Sequence, residues 1–173
     1  LHLVGEGDDA AHQRTLASIG ALCYPDSHIT LIDHHASGDA LTRPVGEWQW
    51  AIPVGAELAP AALFWVAHQL RQIPGAQWIY GDHGLLDETG KRHSPNFKPD
   101  WNETLLHSQN YISWCALWRE QGPSSVPVTH ASCHHWWLRL ARQLESSQIA
   151  HIPTLLMHLP RQDQGDYDVI AQE

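Results

Sequence analysis

Residues 130–135 bring His130, Cys133, His134 and His135 into one short run. Imidazole and thiolate are zinc ligands, and a structural zinc takes about four of them in a tetrahedron. The run reads as the opening of a helix, where neighbouring side chains point about 100° apart. One metal therefore reaches at most part of the set, and casual binding is expected rather than a built site. A neutral imidazole also takes a proton near neutral pH, which makes His134 and His135 candidates for a base. Other chemistry-bearing residues stand apart. Asp33 closes an apolar run and is followed by His34 and His35, a carboxylate–imidazole set suited to metal-dependent phosphoester chemistry. Asp82 after Gly81 has a plain reading as a turn residue, and His158 near Pro160 one as a surface imidazole. The 9 Trp residues are mostly packing material, with Trp101 a candidate for lining a groove.

Such groups need elements to hold them. Residues 1–4 form a short apolar strand stopped by Gly5, and Ala11, Leu16, Ile19 and Leu22 follow at near-helical spacing, with Asp8 or Asp9 able to cap. Pro25 makes a turn, and residues 29–32 are a second strand. Strand, helix and strand at this spacing make a βαβ unit with parallel pairing and a right-handed crossover. Residues 48–52 and 77–80 read as further strands, with a helix from Pro60 between them carrying Leu63, Val66, Ala67 and Leu70 on one stripe. Residues 110–118 alternate like a longer strand. Trp137, Leu140, Ala141 and Leu144 mark a third helix, and 149–152 a short closing strand.

With 173 residues, 43% apolar and 17% charged, the chain has the composition of one soluble domain. A net charge of −9 argues against a non-specific nucleic-acid or anionic-membrane binder. The 14 His make that charge sensitive to mild acid. Cys23, Cys115 and Cys133 are odd in number and widely spaced, which suits a reducing, cytoplasmic setting. No apolar run approaches the ~18 residues of a membrane span, and no signal peptide is expected. The chain opens without Met inside a strand, as a piece of a larger protein would.

Residues 80–112 read YGDHGLLDETGKRHSPNFKPDWNETLLHSQNYI. This stretch resembles the middle of family 2 inverting glycosyltransferases of the rhamnosyltransferase-like kind. There a strand ending in Tyr enters an acidic loop, a DE-x-G-[KR]-R turn, then FKPDW-x-x-x-LL-x-SQNYI. Residues 97–101, Leu105, Leu106 and residues 108–112 stand in register with that pattern. Residues 14–33, 58–63, 138–141 and 149–161 resemble the family's first helix and second strand, the helix after its metal loop, its closing helix and its His-bearing C-terminal segment. The resemblance implies a GT-A-like three-layer α/β/α sandwich with a mostly parallel sheet and a Rossmann-like nucleotide-binding half. That domain would span residues 1–161, with 162–173 a polar tail or linker.

The implied chemistry is transfer of a sugar from a nucleotide-sugar to a polysaccharide or glycoprotein acceptor. The resemblance assigns Asp33, Asp82 and His158 to the nucleotide-sugar, and Trp101 and Asn110 to the acceptor. The family's metal loop, D-x-D-D before LAP, falls on Pro53, Val54, Gly55 and Ala56. Its basic carboxylate falls in the run Ser132-Cys133-His134-His135, and its VDD reads Ile32-Asp33-His34. Gly84 stands where another acid is usual, and residues 39–46 are too few for a βα unit the family places there. The favoured expectation is a catalytically impaired domain acting as scaffold or acceptor-binding module beside an active transferase, with no cofactor. The alternatives are an active, metal-independent transferase using His135 or His134 as base, and a DHH-type phosphoesterase built on residues 33–35. Mg²⁺ or Mn²⁺ enters if the domain is active.

Overall fold

The computed structural model describes residues 1–25, 28–33, 48–119 and 129–160. Its first helix starts where a carboxylate can cap it. Asp8 accepts the Ala11 N–H at 2.7 Å, and α1 runs Asp9–Gly20. It connects β1 (His2–Val4) to β2 (Ile32–Asp33), which pair in parallel, and β3 (Trp48–Pro53) pairs parallel on β1's other side. Strands on both sides pair the edges of β1 and both of its faces are buried, hence the apolar run of Leu3 and Val4, each 0% exposed. The polar exception, His2, meets Gln49 at 2.6 Å.

The rest of the sheet holds the candidate site. After β4 (Glu57–Leu58) and α2 (Ala62–Gln72), β5 spans Trp78–Leu86 and is buried throughout. β6 (Arg92–Asn96) folds back antiparallel onto β5, and the short α3 (Glu103–Ser108) is capped by Asn102. β7 (Ala116–Arg119) runs antiparallel between β3 and β5. α4 (His130–Ala141) opens on a reciprocal Thr129–Ser132 capping box, and β8 (Ile149–Pro160) pairs parallel with β5. The sheet order is β2-β1-β3-β7-β5-β8-β4, with β6 on β5. β1, β2, β3, β5 and β8 point one way, so the sheet is mostly parallel at its core and the helices cover it. This is the α/β architecture expected.

Some elements differ from expectation. The strand expected over 110–118 begins only at Ala116. Asn110 Oδ1 accepts the Ser113 N–H at 3.0 Å, and Ser113 sits at φ 55°, a left-handed corner that breaks the ladder. The closing strand expected to end at 152 continues to Pro160, because β5 supplies a partner along its whole length across bulges near Asp82. α3 had no apolar stripe to announce it. Residues 34–47, 120–128 and 161–173, which include the expected short loop at 39–46 and the polar tail, lie outside the described residues.

The Ser113 corner is tied into an aromatic core. Trp137 donates its indole N–H to Ser113 O at 2.8 Å and stacks on Trp78 at 5.1 Å between centroids. Trp136 and Trp118 pack edge-on against it at 5.0 and 5.5 Å. Trp137→Ala should therefore cost about 3–5 kcal/mol of stability through the cavity it opens. Trp137→Phe should cost less, losing mainly a hydrogen bond worth about 1 kcal/mol. Urea unfolding of both variants checks this, and an Ala variant as stable as the Phe variant would refute it.

Candidate functional site

The site is built where β5 meets β8 and the loop of residues 97–101. Opposite Asp82 it is β8 that bulges, carrying extra residues between the pairs Gly81–Ile152, Asp82–Leu155 and His83–Met157, and Asp82 lies in the interior, 1% exposed. Asp82 Oδ1 accepts the Lys98 backbone N–H at 2.9 Å and meets His151 Nε2 at 3.0 Å. The Lys98 ammonium, itself buried, donates to Gly81 O and to Ile112 O at 2.7 Å. Burial pulls the Lys98 pKa below the usual lysine value, against the opposing pull of Cys115 and Asp82. His151 stacks on Tyr80 at 4.8 Å, and its Nδ1 meets Asp100 at 3.2 Å. A neutral ring donates to one carboxylate at a time, an imidazolium to both. The Tyr80 hydroxyl donates to Pro99 O at 2.8 Å, and burial raises its pKa far above normal.

Beside Asp82, His83 is 3% exposed and its Nδ1 has no partner. Burial, then Lys98, His130 and His158, push its pKa down to about 2. It is a neutral imidazole and a poor base. His158 lies across the sheet from Gly84 and Glu57 in register. A Cβ on Gly84 would come within 2.6 Å of the His158 ring, so the ring occupies the space an acid there would need. His158 Nδ1 is also buried without a partner, and burial lowers its pKa. Glu57 is engaged by Arg92 at 3.2 Å, with Arg14 4.0 Å away.

The turn at 53–56 does not fit a divalent cation. Hard cations need oxygen ligands, and this turn presents proline, valine, glycine and alanine. Val54 is 5% and Ala56 0% exposed, and the Gly55 N–H is held by Thr15 Oγ1 at 2.8 Å. Pro160 lies 3.3 Å from where a Gly55 Cβ would stand. Among the described residues no group of His, Cys, Asp and Glu gathers closely enough to hold a metal.

Of the residues singled out from sequence, Asp82 and His158 lie on the paired strands β5 and β8, Asp82 in register with Leu155 and His158 with Gly84. Asp33 ends β2, in register with Leu3 and several strands away; His34 and His35 lie outside the described residues. Trp101 packs edge-on against Trp78 at 5.3 Å, at the rim of the core. Asn110 builds the Ser113 corner and also meets His130 at 3.3 Å. His134 Nε2 meets Leu106 O at 2.7 Å, so that nitrogen carries the proton and is spent on the α3–α4 contact. His135 is exposed, on the side of α4 away from its buried Cys133, Trp136, Trp137 and Leu140. Sequence reasoning missed Lys98, His83 and His151. Lys98 carried a signal, since a lysine inside an otherwise ordered aromatic and proline run has to go somewhere.

No family model matches the chain. Two curated proteins share part of its sequence. An uncharacterized protein, y4gI, of Sinorhizobium fredii is 36% identical over 104 residues, covering 57% of this chain and 11% of that protein. The O-antigen biosynthesis protein RfbC of Myxococcus xanthus is 35% identical over 112 residues, covering 61% of this chain and 9% of that protein. The matched stretch is about a tenth of either relative's length. Among solved structures, S. aureus TarS 1–349 superposes on 92% of this chain and 59% of its own, with TM-score 0.61 and 8% identity. Its complex with UDP gives 0.62, and its complex with UDP-GlcNAc 0.61, each at 8% identity and 92% of this chain, with 60% and 57% of TarS covered. The likeness fixes the fold: a GT-A-like α/β architecture. Among the described residues no helix is long and apolar enough to cross a membrane.

The His83 shift has a pH consequence. Between its folded pKa of about 2 and the unfolded value of 6.5, the unfolded chain binds a proton that the folded chain does not. Stability is complete above pH 6.5 and falls on acidification, by up to about 1.4 kcal/mol per pH unit from this group. Urea unfolding between pH 7 and 4 should show a shallower loss for His83→Gln than for the native chain. Parallel curves would show that His83 does not titrate this way.

Proposed function

We propose that this chain is a family 2-like glycosyltransferase domain whose ancestral chemistry is sugar transfer from a nucleotide-sugar to a polysaccharide or glycoprotein acceptor. Here it serves as a catalytically impaired scaffold or acceptor-binding module, beside an active transferase. The observation that carries this reading is the buried apolar turn at residues 53–56, packed between β8 and α1 where the fold's metal loop would stand. The UDP and UDP-GlcNAc complexes of TarS support the nucleotide-sugar class, and the name of RfbC supports a polysaccharide acceptor. The free thiols of Cys23, Cys115 and Cys133 suit a reducing, cytoplasmic setting.

Inverting transfer needs a base within hydrogen-bond reach of the acceptor hydroxyl. Asp82 is committed to Lys98 and His151, and His83 holds its proton too weakly. His134 gives its Nε2–H to a carbonyl, which leaves Nδ1 as its basic nitrogen, and His135 faces away from the core. A missing base costs a factor of about 10²–10⁴ in rate. One observation favours the metal-independent alternative: His158 Nδ1 is buried without a partner, and Arg92 lies close enough to lower its pKa. In that reading Asp33, Asp82 and His158 would bind the nucleotide-sugar, with His135 or His134 as base.

Release of nucleoside diphosphate from UDP-, dTDP- and GDP-sugars, with glycan acceptors and with or without Mn²⁺, decides between them. No release above the uncatalysed background is expected. Turnover abolished in His135→Ala and kept in the exposed control His107→Ala would overturn the impaired reading and make His135 the base. A melting-temperature rise with Mn²⁺ alone would favour the phosphoesterase built on residues 33–35.

A further inference from the structure

Phe97 is 70% exposed, while the backbone around it is fixed on both sides. Before it, Asn96 stands in register with His83 of β5. After it, the Lys98 N–H is held by Asp82 at 2.9 Å and the Lys98 ammonium is buried against carbonyls. Tyr80 then holds Pro99 O at 2.8 Å, and His151 meets Asp100 at 3.2 Å. Successive side chains of an extended chain point to opposite sides, so sending Lys98 inward sends Phe97 outward. The phenyl ring is presented to solvent by the most heavily bonded loop of the site, and no small backbone shift hides it.

Its surroundings select the ligand. Arg92, His93, Ser94 and Asn96 of β6 are all exposed, and the Asp100 side chain is 99% exposed. The other large exposed apolar side chains among the described residues are Leu31 beside β2 and Phe64 and Trp65 on α2, none of them in this loop. A protein interface has a contiguous apolar core, and a lone ring among polar groups does not make one. A pyranose does match it. One face of the sugar carries C–H groups that lie on an aromatic face, and its rim carries hydroxyls that need hydrogen-bond partners.

We infer that Phe97 is a carbohydrate-stacking platform, on which a pyranose ring of the glycan acceptor rests. The inference rests on the acceptor-binding reading above and names its subsite. Because the loop is already ordered, binding loses little conformational entropy there.

The test uses the whole chain, with maltotetraose, chitotetraose and a rhamnose tetrasaccharide as probes in titration calorimetry and saturation-transfer NMR. At least one tetrasaccharide should bind, and Phe97→Ala should weaken that binding tenfold or more. Phe97→Trp should keep it, and Phe64→Ala, a similarly exposed ring on α2, should leave it unchanged. The melting temperature of Phe97→Ala should stay close to that of the native chain, since the residue is mostly in solvent. Glycan binding indifferent to Phe97→Ala, or no binding of any probe at about 10 mM, would overturn the inference. Sugar transfer by the native chain would overturn the impaired reading and leave Phe97 untouched. The converse result, no transfer with glycan binding that ignores Phe97, removes the platform alone.

Discussion

Lys98 carries an ammonium into the interior, and the carbonyls of Gly81 and Ile112 receive it. Removing a charge from water is expensive unless hydrogen bonds replace the solvent, so the segments that supply those oxygens must hold their places. Gly81 belongs to β5, and Ile112 leads into the Ser113 corner. One side chain thus joins the central strand, the loop of residues 97–101 and the approach to β7. Asp82 completes the arrangement by taking the Lys98 N–H, and its charge offsets part of the desolvation. The exposure of Phe97 follows from turning Lys98 inward.

The demands of sugar transfer can be set against the packing of these residues. A catalytic carboxylate must be free to take a proton or a cation, and Asp82 has one oxygen, Oδ1, held by the Lys98 N–H of the loop and by His151 of β8. A diphosphate site wants positive charge or a metal, and the turn at 53–56 is apolar and closed by Pro160. Gly84 gives its space to the His158 ring. Each of these features belongs to a well-packed sheet. The loop of residues 97–101 holds an aromatic ring, Phe97, in water.

The histidines show how little residue type says without burial. His83 and His158 are buried, and burial holds them neutral. His134 is tied to Leu106 O, His135 faces outward, and His151 lies between two carboxylates. The same ring is a structural wedge, a hydrogen-bond donor or a bridge, according to the oxygens and the water around it.

Much of the fold was legible in the sequence. The apolar runs of β1, β3 and β5, the Asp8 cap, the helix after Pro60 and the ordered motif of residues 97–112 are local patterns, and local patterns survive folding when burial on both faces or a cap enforces them. What the sequence could not show were contacts between distant segments. The Asn110–Ser113 corner depends on Trp137 and Cys133 arriving from α4, and the length of β8 on the partner that β5 offers. Asp82 looked like a turn residue or a ligand until Lys98, 16 positions on, and His151, 69 positions on, closed around it. Spacing along the chain determined which elements form. Which carboxylate is spent, which imidazole stays neutral and which ring faces water were decided by tertiary packing, because desolvation and hydrogen bonding depend on neighbours that sequence order does not bring together.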